Sequence, residues 1–153
     1  MSSVLTCLVF EHDLRLVALA GALCVLSAIV AMQLLRRTRR SHGLTRVIWI
    51  GATGGASGFG IWTTHFVAML AYDPGLVFGY EIGKTLVSLL VAMTTTAAAA
   101  AYATYDFGRA APVASGILFG VGVSSMHFIG MAAIELPGTI VWNQTLVLAA
   151  AAL

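Results

Sequence analysis

Charged residues are scarce in this chain of 153 residues: Lys, Arg, Asp and Glu make up 9% of it, whereas 59% of the residues are hydrophobic. A soluble domain carries about 25% charged residues, so this chain has too few to cover a surface that faces water. The shortage excludes an ordinary globular enzyme, a disordered segment and a nucleic-acid-binding protein. The net charge of +2 is small, and the position of each charge along the chain is therefore more informative than the sum.

Cysteine is also rare. Cys7 and Cys24 form no CxxC motif and show no paired spacing, so no disulfide framework is predicted. Cys24 lies inside an apolar run and is interpreted as a buried structural thiol. Together with a mean hydropathy of +0.95, these features indicate an integral membrane protein that lies in the lipid bilayer.

Long uncharged runs follow one another along the chain. A helix needs about 20 apolar residues to cross the hydrocarbon core, and four runs satisfy this fully, while a fifth does so marginally. The polar alternation that β-barrel strands require does not occur. We therefore predict an all-α integral membrane fold with about five spans. The uncharged runs cover residues 16–35, 47–72, 85–105, 110–134 and 136–153.

Arginine residues predict the orientation of these spans. The segment Arg36–Arg46, taken as a loop, holds five arginines, and Arg109 follows the third run. Because basic loops stay on the cytoplasmic side, we expect both there and the N-terminus outside. Contact with anionic lipid explains this basic run better than nucleic-acid binding does. No positively charged segment precedes the first run, so no cleaved signal peptide is predicted.

An internal repeat relates two parts of the chain at a constant offset of 62 residues. The repeated unit is a helix hairpin, and such duplication indicates symmetric packing. Repeat 1 covers about 12–73, repeat 2 about 80–135, and a partial repeat 3 begins at 142 and is truncated. The residues in register are Gly58 and Gly120, Gly60 and Gly122, His65 and His127, Phe66 and Phe128, and Met69 and Met131.

The repeated motif places a methionine four residues after each histidine, on the same helix face. His65 lies seven residues before Tyr72, which puts it about 10 Å below the outer end of its span. A polar group at that depth indicates a functional site, and imidazole with soft thioether sulfur favours copper. The candidate ligands are His65, Met69, His127 and Met131, with His12 and Met126 as possible additions. The alternative is that the histidines are hydrogen-bonded packing residues and the methionines fill space.

The glycines of the motif have a simpler interpretation. Small residues at these spacings let helix backbones approach closely, so helix packing is predicted for Gly58, Gly60, Gly120 and Gly122. A phosphate-binding loop is excluded, because the Gly-x-Gly motif lies within a span and follows no strand.

The doubled motif resembles the MHYT family of bacterial integral membrane sensor domains. The segment 126–131, Met-His-Phe-Ile-Gly-Met, matches the family motif, and 64–69, Thr-His-Phe-Val-Ala-Met, matches with Thr in first place. The resemblance implies three helix hairpins, each with a His/Met motif near the outer face of a bacterial inner membrane. It also implies copper that senses oxygen, carbon monoxide or nitric oxide, and cytoplasmic output modules that make or break cyclic di-GMP, or histidine kinases.

Two elements of that pattern are missing from this sequence, namely the third motif and an output module. A site that needs three motifs is therefore expected to be incomplete, or to take a ligand from a second copy in a homo-oligomer. The leading hypothesis is a membrane sensory domain, itself not an enzyme, that binds copper and passes a change inward by helix repacking. The alternatives are a haem-binding electron carrier with two axial histidines, a repeat-built transporter, and an anchor without a ligand. Convergence of the two imidazoles would favour metal ligation.

Overall fold

The computed structural model describes residues 13–72, 79–105 and 108–135, and this part of the chain is a bundle of antiparallel helices. The elements, numbered here in chain order, are helix α1 (Leu14–Arg40), helix α2 (Gly43–Leu70), strand β1 (Gly79–Tyr80), helix α3 (Ile82–Thr104), helix α4 (Ala111–Ala132) and strand β2 (Ile134–Glu135). The all-α prediction is confirmed for this part, with one short strand pair added. The fifth predicted span, His12 and the start of the third repeat lie outside the described residues.

Three of the four helices, α1, α3 and α4, are long and apolar enough to cross a membrane. Helix α2 is as long but is not among them, and glycine, threonine and serine occupy much of its length. Large apolar side chains such as Leu26, Ile29 and Leu90 are exposed on the outside of the bundle, where a lipid environment would cover them. The described part of the chain is thus a multi-pass membrane bundle.

The arginine-rich segment is helical, which corrects the prediction of a long loop between the first two spans. Helix α1 continues through Arg40, and helix α2 begins at Gly43. Loss of hydropathy marks the edge of the hydrocarbon core, whereas the helix itself can continue into the headgroup region. Basic residues in a last turn also interact favourably with the helix dipole. The connection turns at Gly43, whose φ of +57° suits glycine.

Each helix packs along its length against the next helix in the chain, whereas α2 and α4 meet only over a short stretch. Glycines in α2 allow the close approach: a Cβ at Gly58 would lie 2.5 Å from the Met93 Cα atom, and one at Gly60 would overlap Ser27. In α4, a Cβ at Gly122 would overlap Thr95. These three glycines therefore lie at helix contacts, where the sequence predicted them.

Two sequence predictions on packing are corrected among the described residues. A Cβ at Gly120 would meet nothing within 4 Å, so that glycine is at no helix contact here. Helix α4 turns Gly122 towards α3, and a residue two positions away on a helix faces about 200° from it. Cys24 is exposed rather than buried, because it lies at the edge of an open cleft between α1, α2 and α4.

Hydroxyl groups connect the helices inside the bundle. The Oγ1 atoms of Thr38 and Thr53 lie 3.1 Å apart between α1 and α2. Thr96 donates a hydrogen bond to the carbonyl of Gly54 at 2.9 Å, which ties α3 to α2. Such bonds within a membrane bundle are individually worth about 0.6 kcal/mol, so they set the alignment of the helices more than the total stability.

The two hairpins close in the same way at one end of the bundle. The N–H of Asp13, just before α1, donates to the carbonyl of Ala71, just after α2, at 2.8 Å. The N–H of Glu81 donates to the carbonyl of Ala133 at the same distance. Strands β1 and β2 pair antiparallel beside the second of these bonds. Each motif-bearing helix, α2 or α4, is therefore tied at its C-terminal end to the start of the other helix of its own hairpin.

Candidate metal centre

His65 of α2 and His127 of α4 face each other across the bundle. Their Nδ1 atoms are 3.4 Å apart, and their ring centroids are separated by 4.8 Å with the planes inclined at 66°. Both residues are half-buried. The structure therefore brings together the two histidines that the sequence repeat had singled out, in the short stretch where α2 and α4 touch.

The register of the hairpins explains this convergence. His65 lies five residues before the end of α2 at Leu70, and His127 lies five residues before the end of α4 at Ala132. Both hairpins close with the same kind of backbone hydrogen bond, so each histidine lies at the same distance along its helix from the closed end of its own hairpin.

A cavity of about 370 Å³ opens beside the histidine pair. It shares part of its wall with an apolar cleft of about 340 Å³ between α1, α2 and α4. The walls of the first cavity are mostly hydrocarbon, so a small apolar molecule can be accommodated next to the two rings. The lining residues are Ile61, Thr64, His65, Val123, Ser124, Met126, His127 and Phe128.

The methionines are arranged differently from the simplest expectation. Met126, named only as a possible addition, lines the cavity and is 1% exposed. Met69 and Met131 are partly buried and are not among the residues that line this cavity. The methionine in the cavity wall is therefore Met126, which directly precedes His127. Met131, four residues after His127, does not line the cavity.

An aromatic cluster supports the His65 side of the site. Phe66 is buried, with its ring 4.6 Å from that of Trp62 and 5.4 Å from that of Tyr80, centroid to centroid. Trp62 donates through Nε1 to the Oγ atom of Ser88 at 3.0 Å, which links α2 to α3. Burial raises the pKa of Tyr80, which lies in β1 outside the spans. The cluster joins the histidine pair to the strand pair.

The hydrogen bond between Trp62 and Ser88 was not predicted from the sequence. Ser88 is a single small polar residue in an apolar helix, a pattern too common to single out a hydrogen-bond partner. Near this cluster, Glu81 precedes α3 and forms an ion pair with Lys84 at 2.6 Å. Both side chains are about half exposed, so this pair adds little stability.

The donor set around the pair is small. Within residues 13–72, 79–105 and 108–135, no group of three or more His, Cys, Asp and Glu side chains is arranged to hold a metal ion. Two imidazoles and the Met126 thioether are the soft donors next to the cavity. Such a set does not suit Mg²⁺ or Ca²⁺, which require oxygen ligands.

The fold and this site define a class: a helical membrane domain, built from duplicated hairpins, with a histidine pair between the two copies. The chain matches the MHYT family, described as the bacterial signalling protein N terminal repeat, over residues 58–116 and 120–153. The protein belongs to the MHYT family. The two matched segments begin at Gly58 and Gly120, which are 62 residues apart.

Curated relatives are signalling proteins. A signalling protein of Caulobacter vibrioides is 40% identical over 144 residues, which cover 94% of this chain and 18% of the relative. The bifunctional diguanylate cyclase/cyclic di-GMP phosphodiesterase MucR of Pseudomonas aeruginosa is 34% identical over 139 residues, covering 89% of this chain and 20% of the relative. The chain thus spans about a fifth of the length of these relatives. No solved structure matches it.

Proposed function

We propose that this chain is the membrane sensory part of a signalling protein and that it binds copper between His65 and His127. The observation that supports this proposal most directly is the separation of 3.4 Å between the two Nδ1 atoms. Metal–imidazole bonds are about 2.0–2.1 Å long, so two nitrogens on one tetrahedral ion lie about 3.3 Å apart. The observed separation fits two nitrogen ligands of a single ion.

Copper fits the chemistry of these donors better than other common ions do. Imidazole binds zinc, copper, iron and nickel, whereas a thioether neighbour favours Cu(I). Met126 is the buried thioether next to the pair, and we propose it, rather than Met69 or Met131, as the nearest sulfur ligand.

Bound copper supplies a redox-active centre with affinity for oxygen, carbon monoxide or nitric oxide. Ile61, Thr64 and Val123 border both the cavity and the apolar cleft, so the two spaces are adjacent.

A haem site is less compatible with the same geometry. Two axial histidines hold a haem with the macrocycle between them. Here the two rings are in edge contact, with 4.8 Å between their centroids, and helices α2 and α4 touch at this level. The pair therefore favours a single ion over a planar macrocycle.

The output of the sensor is proposed from its relatives. MucR and the cyclic di-GMP phosphodiesterase NbdA of Pseudomonas aeruginosa, the latter 35% identical over 138 residues, are named for enzymes of cyclic di-GMP. Because the match covers 17–20% of each of these proteins, we propose that this chain supplies sensing and that a cytoplasmic module supplies catalysis. The bacterial inner membrane, with the arginine-rich end inside, is the location that this arrangement requires.

The proposal is tested by measuring copper in the detergent-purified protein after reconstitution with Cu(I). We expect about one copper per chain in the wild type and at least a tenfold loss of affinity in His65→Ala and in His127→Ala, since each removes a ligand. Met126→Leu should weaken binding more than Met131→Leu, a matched change on the same helix. A ratio of one half would indicate an ion shared by two copies, as a homo-oligomer predicts.

His42→Ala is the control, because His42 is exposed at the opposite end of the bundle and its loss should leave copper binding unchanged. Wild-type protein that takes up no copper after reconstitution contradicts the proposal. In that case the pair is a hydrogen bond between neutral imidazoles, and both alanine variants would lower stability without removing any ligand.

A further inference from the structure

The place where His65 meets α4 is occupied by a glycine. A Cβ atom built on Gly130 would lie 2.7 Å from the Nε2 atom and 3.1 Å from the Cδ2 atom of His65. Real Cβ atoms almost never come within 3.0 Å of another heavy atom, so any side chain at position 130 would displace the imidazole. Gly130 is itself buried, and the ring lies directly against its backbone.

The other edge of the same ring forms the site. The Nδ1 atom of His65 is the one that lies 3.4 Å from His127, while its Nε2 atom is buried without a hydrogen-bond partner among the described residues. The Nε2 edge of the His65 ring is thus positioned by packing against Gly130 and not by a hydrogen bond. If the ring is pushed away from Gly130, its Nδ1 atom changes position relative to His127.

The two copies of the motif differ at this position. At the offset of 62 residues, Gly130 corresponds to Ala68, and Ala68 is exposed. The duplication is therefore asymmetric. In α4, Gly130 packs against the His65 ring of α2, whereas the equivalent residue of α2, Ala68, lies on an exposed surface. Position 130 has a requirement that position 68 does not have.

We propose that Gly130 is a positioning residue, which reserves the space that lets the His65 imidazole reach His127 and share one copper ion with it. It touches no ligand itself and acts through His65. The inference rests on the proposed copper site for its functional consequence, but its geometric part, the contact between position 130 and the ring of His65, can be tested separately.

The contact is tested by a double-mutant cycle read as the melting temperature of the metal-free protein in detergent. Gly130→Ala should lower the Tm by about 2–6 °C when His65 is present, because the new methyl group overlaps the ring. In the His65→Ala background the same change should leave the Tm unchanged or raise it, since the ring is gone and alanine favours a helix over glycine. Equal effects in both backgrounds would overturn the contact.

The consequence for the site is tested by copper affinity. Gly130→Ala should weaken copper binding at least about tenfold and change the spectroscopic signature of the bound ion. Gly122→Ala is the matched control: it lies on the same helix and would overlap Thr95, so it should lower the Tm but leave copper affinity unchanged. Ala68→Gly should also leave affinity unchanged.

Two failures remain distinguishable in this design. Wild-type protein without copper contradicts the proposed function, while the Tm cycle still decides the contact. If the wild type binds copper and Gly130→Ala binds it equally tightly, the positioning role of Gly130 is contradicted, whatever the Tm values are.

Discussion

His65 and His127 each place a polar ring inside a membrane bundle, and this is costly unless the ring finds a partner. The partner in this structure is the other ring, at 3.4 Å between the Nδ1 atoms. One neutral imidazole can donate to the other at this distance, and the same pair of nitrogens is suited to one soft metal ion. The two imidazoles can thus satisfy each other by a hydrogen bond when no ligand is bound, and the same nitrogens can bind a ligand.

Tyr80 offers a test of the aromatic cluster at the scale of one side chain. Burial raises its pKa, so the folded protein favours the neutral phenol. This contribution to stability is complete below the pKa of an unfolded tyrosine and is lost as the pH rises through that value and the folded one. We expect one of the four tyrosines to ionise late in an absorbance-monitored titration of folded protein.

The late-ionising fraction should disappear in Tyr80→Phe, which keeps the ring contact with Phe66 and removes only the hydroxyl. Denatured protein is the control and should show a single titration. A late fraction that persists in Tyr80→Phe would contradict the assignment.

The residues of the site could be predicted from sequence only in part. The repeated histidines were found because a polar residue recurs at equal depth, which is a property of the chain alone. Met126 was given less weight than Met131 because the i, i+4 spacing defines a helix face but not which face is inward. Gly130 could not be found, since its role depends on a ring that is distant in sequence and arrives from another helix.

At the scale of the helices, the glycine pattern sets how closely α2 and α3 approach. The atoms of Met93 that a Cβ at Gly58 would meet belong to the backbone, which cannot rotate away. Interhelical hydrogen bonds such as that from Thr96 to the carbonyl of Gly54 also depend on this approach. The close contact between α2 and α3 in turn fixes the direction in which His65 points.

Gly58→Ala should therefore destabilise the bundle by about 1–3 kcal/mol, because the added methyl group overpacks a backbone contact. Unfolding in detergent, followed by loss of helical signal, measures this change. Gly120→Ala is the control: its Cβ would meet nothing among the described residues, and replacing a helical glycine by alanine without a clash should leave stability unchanged or raise it by about 0.4–1 kcal/mol. Equal losses in the two variants would contradict the packing role of Gly58.

Hydropathy predicted the existence and order of the four described helices, but not their bounds. Helix α1 extends five residues beyond the uncharged run 16–35, to Arg40, and α2 begins four residues before Val47. Charge ends the apolar run, whereas hydrogen bonding and capping end the helix. The pairing of β1 with β2 was also missed, because two residues are too few to show a strand pattern.

At the scale of the whole molecule, charge is divided between the two ends of the bundle. One end carries the arginines at the α1–α2 connection, of which Arg37 lies over the Trp49 ring at 5.3 Å and Arg46 over the Tyr105 ring at 5.2 Å. The other end, to which the histidine pair is nearer, carries both signs of charge: Asp13, Arg15, Glu81, Lys84 and Glu135. The positive-inside rule predicts the first end to be cytoplasmic, and the proposed copper site would then lie near the outer face.

Cysteine labelling in intact cells tests this orientation. In a background with Cys7→Ala and Cys24→Ala, Lys84→Cys and His42→Cys each introduce one thiol at an exposed position, at opposite ends of the bundle. Loss of the half-exposed ion pair between Lys84 and Glu81 should have little effect on folding. A membrane-impermeant maleimide should label Lys84→Cys in intact cells, whereas His42→Cys should react only after lysis. The reverse pattern would place the histidine pair near the cytoplasmic face, and a sensor of ligands arriving from outside would then be the wrong description of this protein.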